Sequence, residues 1–103
     1  MKMIRAIVRL EKEEEFVRSL EQNGIVALTR MDVTGRGSQG GIDLGHARYE
    51  EVAKCMFLLV VEDEQVPLVV ETIQKAAQTG NFGDGRIFIG PVEAAYTIRT
   101  GKN

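Results

Sequence analysis

From Cys55 to Val61 the chain reads CMFLLVV, seven apolar residues in succession. A strand with one face in water alternates apolar and polar positions, so an unbroken run asks for cover on both faces. The run is strand-sized, well short of the roughly 20 apolar residues that cross a bilayer. A fold built around it must supply one layer on one side and something else on the other. We read the second cover as another subunit. The competing cover is a hairpin made by the chain's own C-terminus.

The pattern on either side of this run is regular. In MIRAIVRL, Ile4, Ala6 and Val8 share one side and Arg5, Ile7 and Arg9 the other, the period of a half-buried strand. The stretch EKEEEFVRSLEQNG follows, with acids where a helix N-terminus favours them, Phe16, Val17 and Leu20 on one stripe, and Asn23-Gly24 as a stop. Alternation returns from Ile25 to Val33, which predicts a second strand. DEQVPLVVETIQKAAQ is a second helix, with Pro67 in its first turn and Val66, Val69, Val70, Ile73 and Ala77 at helical spacing. RIFIG and AAYTIR are read as short closing strands. The order is therefore βαββαβ with an added strand or hairpin, an α+β sandwich of one domain over residues 1–103. Right-handed crossovers place both helices on one face of its four-stranded sheet.

The 103 residues and 44% hydrophobic content suffice for one core, and a formal charge of -2 gives no basic field for a nucleic acid. A lone cysteine, Cys55, forms no internal disulfide, and no charged leader precedes an apolar core; the sequence reads as that of a soluble cytoplasmic protein. Cys55 itself reads as a small core residue. Met1, Met3, Met31 and Met56 read as core or terminus.

Two glycine clusters carry the candidate chemistry. TGNFGDGR, Thr79–Arg86, places three glycines, an aspartate and an arginine directly before a stiff strand. Backbone amides in such a loop can form a concave nest for phosphate oxygens, with the guanidinium adding charge-assisted bonds; a plain turn with a solvated arginine uses the same residues. The second cluster, GRGSQGG, opens a long stretch from Gly35 to Glu51 with five glycines and no sustained period, the kind of loop that carries function. Its spacing fits neither a dinucleotide fingerprint nor a P-loop. His46 stands alone, without a second ligand at metal spacing, and is read as a solvated loop residue.

Taken together, TGNFGDGRIFIGPVEAAYTIRTG (Thr79–Gly101), MKMIRAIVR and GIVALTRMDVTGRGSQGG resemble the PII signal-transduction family over the whole length, with one shortened region between Gly41 and Lys54. The wording ALTRMDVTGRG, VVEDE, GNFGDGRIF and PVEAAYTIRTG is most similar to the PII-like regulators encoded with nitrogenase in archaea and anaerobic bacteria. The resemblance implies a ferredoxin-like fold assembled as a homotrimer, with ATP or ADP in the clefts between subunits and 2-oxoglutarate beside Mg-ATP. It implies a regulator rather than an enzyme, acting through a T-loop, here about residues 36–53, on a protein target such as nitrogenase, with a companion PII-like subunit as a further partner.

By the same resemblance Gly83, Asp84, Gly85 and Arg86 form the phosphate and ribose-side loop, and Arg99 is a phosphate-binding arginine. Gly35, Gly37 and Ser38 line the nucleotide cleft at the start of the T-loop, with Thr29 and Glu62 toward the adenine. Gln39 holds Mg and 2-oxoglutarate with Gly41 beside it, and Lys54 pairs with a 2-oxoglutarate carboxylate. The chain departs from the family at Ser38, Gly40 and Thr97, where cations are common, each loss removing a charge-assisted bond of about 1.5–3 kcal/mol. Tyr49 is read as an ordinary aromatic at the loop base rather than a modified tyrosine. The alternative to a sensor is a degenerate PII-like trimer serving as a docking module; an acylphosphatase on the same fold is set aside for want of an arginine-and-asparagine arrangement near the first strand.

Overall fold

A computed structural model of the chain describes residues 1–36, 42–44, 47–49 and 52–103. Among these described residues, six strands and two helices follow in the order β1 (Lys2–Arg9), α1 (Glu13–Gln22), β2 (Thr29–Gly35), β3 (Ile42–Leu44), β4 (Ala47–Tyr49), β5 (Val52–Val61), α2 (Val66–Ala77) and β6 (Gly85–Pro91). Single 3₁₀ turns over Leu10–Lys12 and Asp63–Gln65 lead into the helices. The main sheet has the order β2-β5-β1-β6, with every neighbouring pair antiparallel. This is the α+β ferredoxin-like arrangement that the βαββαβ reading requires.

The register sorts the side chains of the sheet. Ile4, Ala6 and Val8 of β1 and Cys55, Phe57, Leu59 and Val61 of β5 are buried against Phe16 and Leu20 of α1 and Val69, Ile73 and Ala77 of α2. Phe16 and Phe57 stack with ring centroids 4.0 Å apart and planes 11° from parallel. Both helices therefore cover one face, and the central run CMFLLVV contributes every second residue to that core. Cys55 is among the wholly buried residues, its thiol pushed up by burial and by the nearby Glu13 carboxylate, as suits a core residue.

The opposite, open face carries Met3, Arg5, Ile7 and Arg9 of β1, Lys54, Met56, Leu58 and Val60 of β5, Thr29, Met31 and Val33 of β2, and Arg86 and Phe88 of β6. Val60, Phe88 and Met31 are 39%, 50% and 37% exposed. Three methionines expected in the core or at the terminus thus lie on this face instead, Met31 directly across from Met56. Among the strand positions of this face in the described residues there is no carboxylate.

Three further expectations are corrected. Ile25 does not open β2: its amide donates to Leu20 O at 2.9 Å and that of Gly24, at φ 80°, to Glu21 O at 3.0 Å. This pair of bonds closes α1 as a Schellman motif, and buried Ile25 is its apolar contact. The segment Ala94–Arg99 forms no strand. Lacking a neighbour to pair with, its backbone closes a local turn, Thr97 N to Lys102 O at 2.6 Å and Gly101 N to Thr97 O at 2.7 Å. Tyr96 and Ile98 are left 70% and 101% exposed, so this segment is no hairpin cover for the open face. Finally, the 36–53 loop contains an antiparallel ladder, Ile42 opposite Tyr49 and Leu44 opposite Ala47. Val52 and Ala53 belong to β5, paired with Gly35 and Thr34. Three-residue strands are too short to show a period.

Candidate functional site

The glycine loop joins α2 to β6, and its conformation is set by positive φ at Gly80 (89°), Gly83 (96°) and Gly85 (112°), values that L side chains rarely adopt. Gly85 also has a contact reason. A Cβ there would lie 1.7 Å from Ile7 O, because β6 begins by pressing its backbone onto β1.

Asp84 organises the loop from within. Its carboxylate accepts hydrogen bonds from the amides of Thr79 and Gly80, both at 2.8 Å, from the Thr79 hydroxyl, and from Arg9 Nε at 2.9 Å. Burial alone would raise this carboxyl, but the bonds from Thr79, Arg9 and Gly80 outweigh it and hold Asp84 far below the usual carboxylate range. A depressed carboxylate stabilises the folded state fully above its unfolded pKa, near 4, and that contribution is lost as pH falls from there toward the folded value. Urea unfolding from about pH 4 to about pH 2 should therefore show a fall in stability that Asp84→Asn flattens.

Two cations stand beside the loop. Arg9 and Lys54 face each other across β1 and β5. Arg9 Nη2 donates to Phe82 O at 2.8 Å and Lys54 Nζ donates to Gly83 O. Lys54 is buried, and its ammonium is lowered from the ordinary value, first by burial and then by the charge of Arg9, with Asp84 and Glu11 opposing. Arg86 projects from β6 on the same open face, opposite Ile7, with its guanidinium carbon 6.0 Å from the Phe88 ring centroid. A groove of about 440 Å³, half polar and half apolar, runs between α2 and β6, from Val70, Ile73 and Gln74 past Gln78 to Asp84, Gly85 and Arg86 of the loop. Arg9 and Lys54 lie on the open face, and Arg86 borders both that face and the groove.

Of the residues singled out in the sequence, Lys54, Gly83, Asp84, Gly85 and Arg86 converge here. Gly35 ends β2 opposite Val52, two residues before Lys54 on β5. Thr29 begins β2 opposite Leu58 in the middle of the sheet. Glu62 follows β5 at the other end, where its amide donates to Gln65 Oε1 at 2.9 Å at the entry to α2. Seven residues of strand, about 23 Å, separate Lys54 from Val61, so within one chain Glu62 stays away from the loop. Arg99 lies in the exposed turn after β6. Gly37, Ser38, Gln39, Gly40, Gly41 and His46 lie outside the described residues, as does the side chain of Tyr49. Arg9 and Thr79 were not singled out by sequence. The signal for Arg9 was its place on the polar side of the first strand's alternation, at the end nearer the glycine loop.

Across residues 1–102 the chain matches the family model described as nitrogen regulatory protein P-II. The chain belongs to the PII family. Its relatives include nitrogen fixation nifHD region glnB-like protein 1 of Methanococcus maripaludis, 56% identical over 100 residues spanning 97% of this chain and 95% of that one. The nifHD region GlnB-like protein 1 of Methanobacterium ivanovii is 57% identical over the same shares. Nitrogen regulatory protein P-II 2 of Methanothermobacter thermautotrophicus is 46% identical over 107 residues, covering 100% of this chain and 93% of that one. PII proteins are regulators of nitrogen metabolism, generally trimeric, that bind ATP or ADP and 2-oxoglutarate. The glycine loop and the cations around it are compatible with such anions: Arg86 is exposed, and Arg9 and Lys54 converge on the loop's backbone. Among the described residues no helix is long and apolar enough to cross a membrane.

Proposed function

We propose that this chain is a cytoplasmic, non-enzymatic sensor of ATP or ADP and 2-oxoglutarate that acts, as a homotrimer, on a nitrogen-fixation target such as nitrogenase. The observation that carries this reading is the set of cations, Arg9, Lys54 and Arg86, gathered around a glycine loop on a sheet face that has no strand carboxylate among the described residues. Phosphates of the nucleotide would meet the amides of Gly83–Gly85 and the guanidinium of Arg86, with Arg99, Gly35, Gly37 and Ser38 completing the cleft. Thr29 and Glu62 would lie toward the base. Because Glu62 lies at the far end of the sheet from the loop, a single nucleotide can use both only if they come from different subunits. Mg and 2-oxoglutarate would be held by Gln39, Gly41 and Lys54, biasing the 36–53 loop between shapes that engage or release the target. Such a ligand must bind one loop state better than the other, or nothing switches.

A second reading, a trimer that docks without sensing, is favoured by the absence of cations at Ser38, Gly40 and Thr97. Calorimetry with ATP and ADP, with and without Mg, followed by 2-oxoglutarate, separates the two. The sensor shows micromolar nucleotide binding and 2-oxoglutarate binding only after Mg-ATP. No heat at millimolar nucleotide, with a trimeric mass by light scattering, selects the docking module.

A further inference from the structure

Asn23 and Gly24, which cap α1, join an asparagine to the one residue with no side chain to hinder attack on it. In an unfolded chain such a pair loses ammonia: the glycine nitrogen bonds to the asparagine Cγ and a five-membered succinimide forms. The folded chain holds each participant out of place. Asn23 has ψ 16°, so the Gly24 nitrogen lies nearly eclipsed with Asn23's own backbone nitrogen and is turned away from its Cβ. The Gly24 N–H that must be given up is donated to Glu21 O at 3.0 Å, and the Asn23 side-chain amide donates to Ser19 O at 2.9 Å. Both residues are exposed, so water and hydroxide reach them. What keeps them from reacting is the cap, whose apolar contact is buried Ile25.

We propose that Asn23 is a conditional modification site: it deamidates only while the Schellman cap of α1 is open, and the isoaspartyl product cannot close the cap again. The step balances with water alone. The Gly24 nitrogen gives up its proton, bonds to Cγ and expels the side-chain nitrogen as ammonia; water then opens the ring at either carbonyl, leaving aspartate or isoaspartate. Isoaspartate carries an extra methylene in the backbone, which breaks the spacing from Leu20 O to the Ile25 amide on which the cap depends. Either product places a new carboxylate beside Glu21 at the negative end of the helix dipole. Ile25, 7% exposed in the intact chain, then loses the bond that holds it in the core. Helix ends fray at free energies far below that of global unfolding, so the reaction records openings of this end that leave the rest of the domain folded.

Peptide mapping by mass spectrometry tests this on the full chain held at mildly alkaline pH, folded and in guanidinium chloride. Asn23 should react about tenfold more slowly, or slower still, in the folded chain. Asn81, exposed but followed by the bulky Phe82, should lag behind Asn23 in denaturant and serves as the internal control. Ile25→Ala, which removes the apolar contact of the cap, should speed the reaction of the folded protein about tenfold and leave the rate in denaturant unchanged. If that variant fails to fold, Ile25→Val gives the same change on a smaller scale. Hydrogen exchange at the Gly24 amide should rise in the same proportion. Asn23 rates within about twofold of each other in the folded chain and in denaturant overturn the proposal. So does an Ile25 variant whose Gly24 amide exchanges faster while Asn23 reacts no faster.

Discussion

Gly85→Ala should lower the thermal unfolding midpoint by about 10–20 °C. The added Cβ would sit 1.7 Å from Ile7 O and 2.8 Å from Ile7 C, both backbone atoms of a central strand, at a φ of 112°. Neither partner can swing aside as a flexible side chain would. Gly85 pairs with Val8 and Arg86 with Ile7, so relief means parting β6 from β1 at its first rungs. Overpacking and a forbidden backbone conformation each cost about 1–3 kcal/mol, and for a domain near this size each kcal/mol moves the midpoint by roughly 4–8 °C. Thermal unfolding followed by circular dichroism measures it. Gly90→Ala is the control, since a Cβ at Gly90 meets nothing within 4 Å and its φ is not positive. Equal midpoints for the two variants would show that the contact at Gly85 relaxes freely.

Asp84→Ala should lower stability by about 2 kcal/mol and, under the sensor function proposed above, ATP affinity by about a hundredfold. The variant strips the acceptor from Arg9 Nε, the Thr79 hydroxyl and the amides of Thr79 and Gly80 at once. Water can replace it at the exposed amides. It does so poorly at Arg9, which with Lys54 beside it loses the nearest countercharge; a hydrogen bond to a charged group contributes about 1.5–3 kcal/mol. The affinity loss has a different origin: the loop must be ordered at the moment of binding instead of beforehand. Asp84→Asn separates the two contributions. It keeps a carbonyl for the Thr79 and Gly80 amides and loses the charge, so calorimetry should place its ATP affinity between those of wild type and the alanine variant. Wild-type affinity in Asp84→Ala would show that nucleotide binding does not depend on this loop.

Much of this was legible before any coordinates. The alternation of Ile4, Ala6 and Val8 and the stripe of Phe16 and Leu20 each depend on a local period, and each is buried as that period demands. The loop residues Gly83, Asp84, Gly85 and Arg86 were legible because glycine beside charge in front of a strand is a local signal. What escaped depends on distant partners. Ile25 continues an alternating pattern, yet its amide is claimed by Leu20 and its side chain by the core. Tyr96 and Ile98 have strand-forming side chains, but a strand exists only beside another, and propensity does not say where the neighbour is. Arg9 is an ordinary polar-face residue by pattern. Its role appears only when the loop, 73 to 75 residues further on, folds back onto it.

The open face of the sheet has one chemical vulnerability. Met3, Met31 and Met56 all lie on it, two of them directly across from each other. Thioethers adapt readily to an irregular surface laid against them, but an oxidant converts them to polar sulfoxides. Exposure to air or peroxide would therefore wet that surface while Phe16, Phe57 and the rest of the interior stay dry.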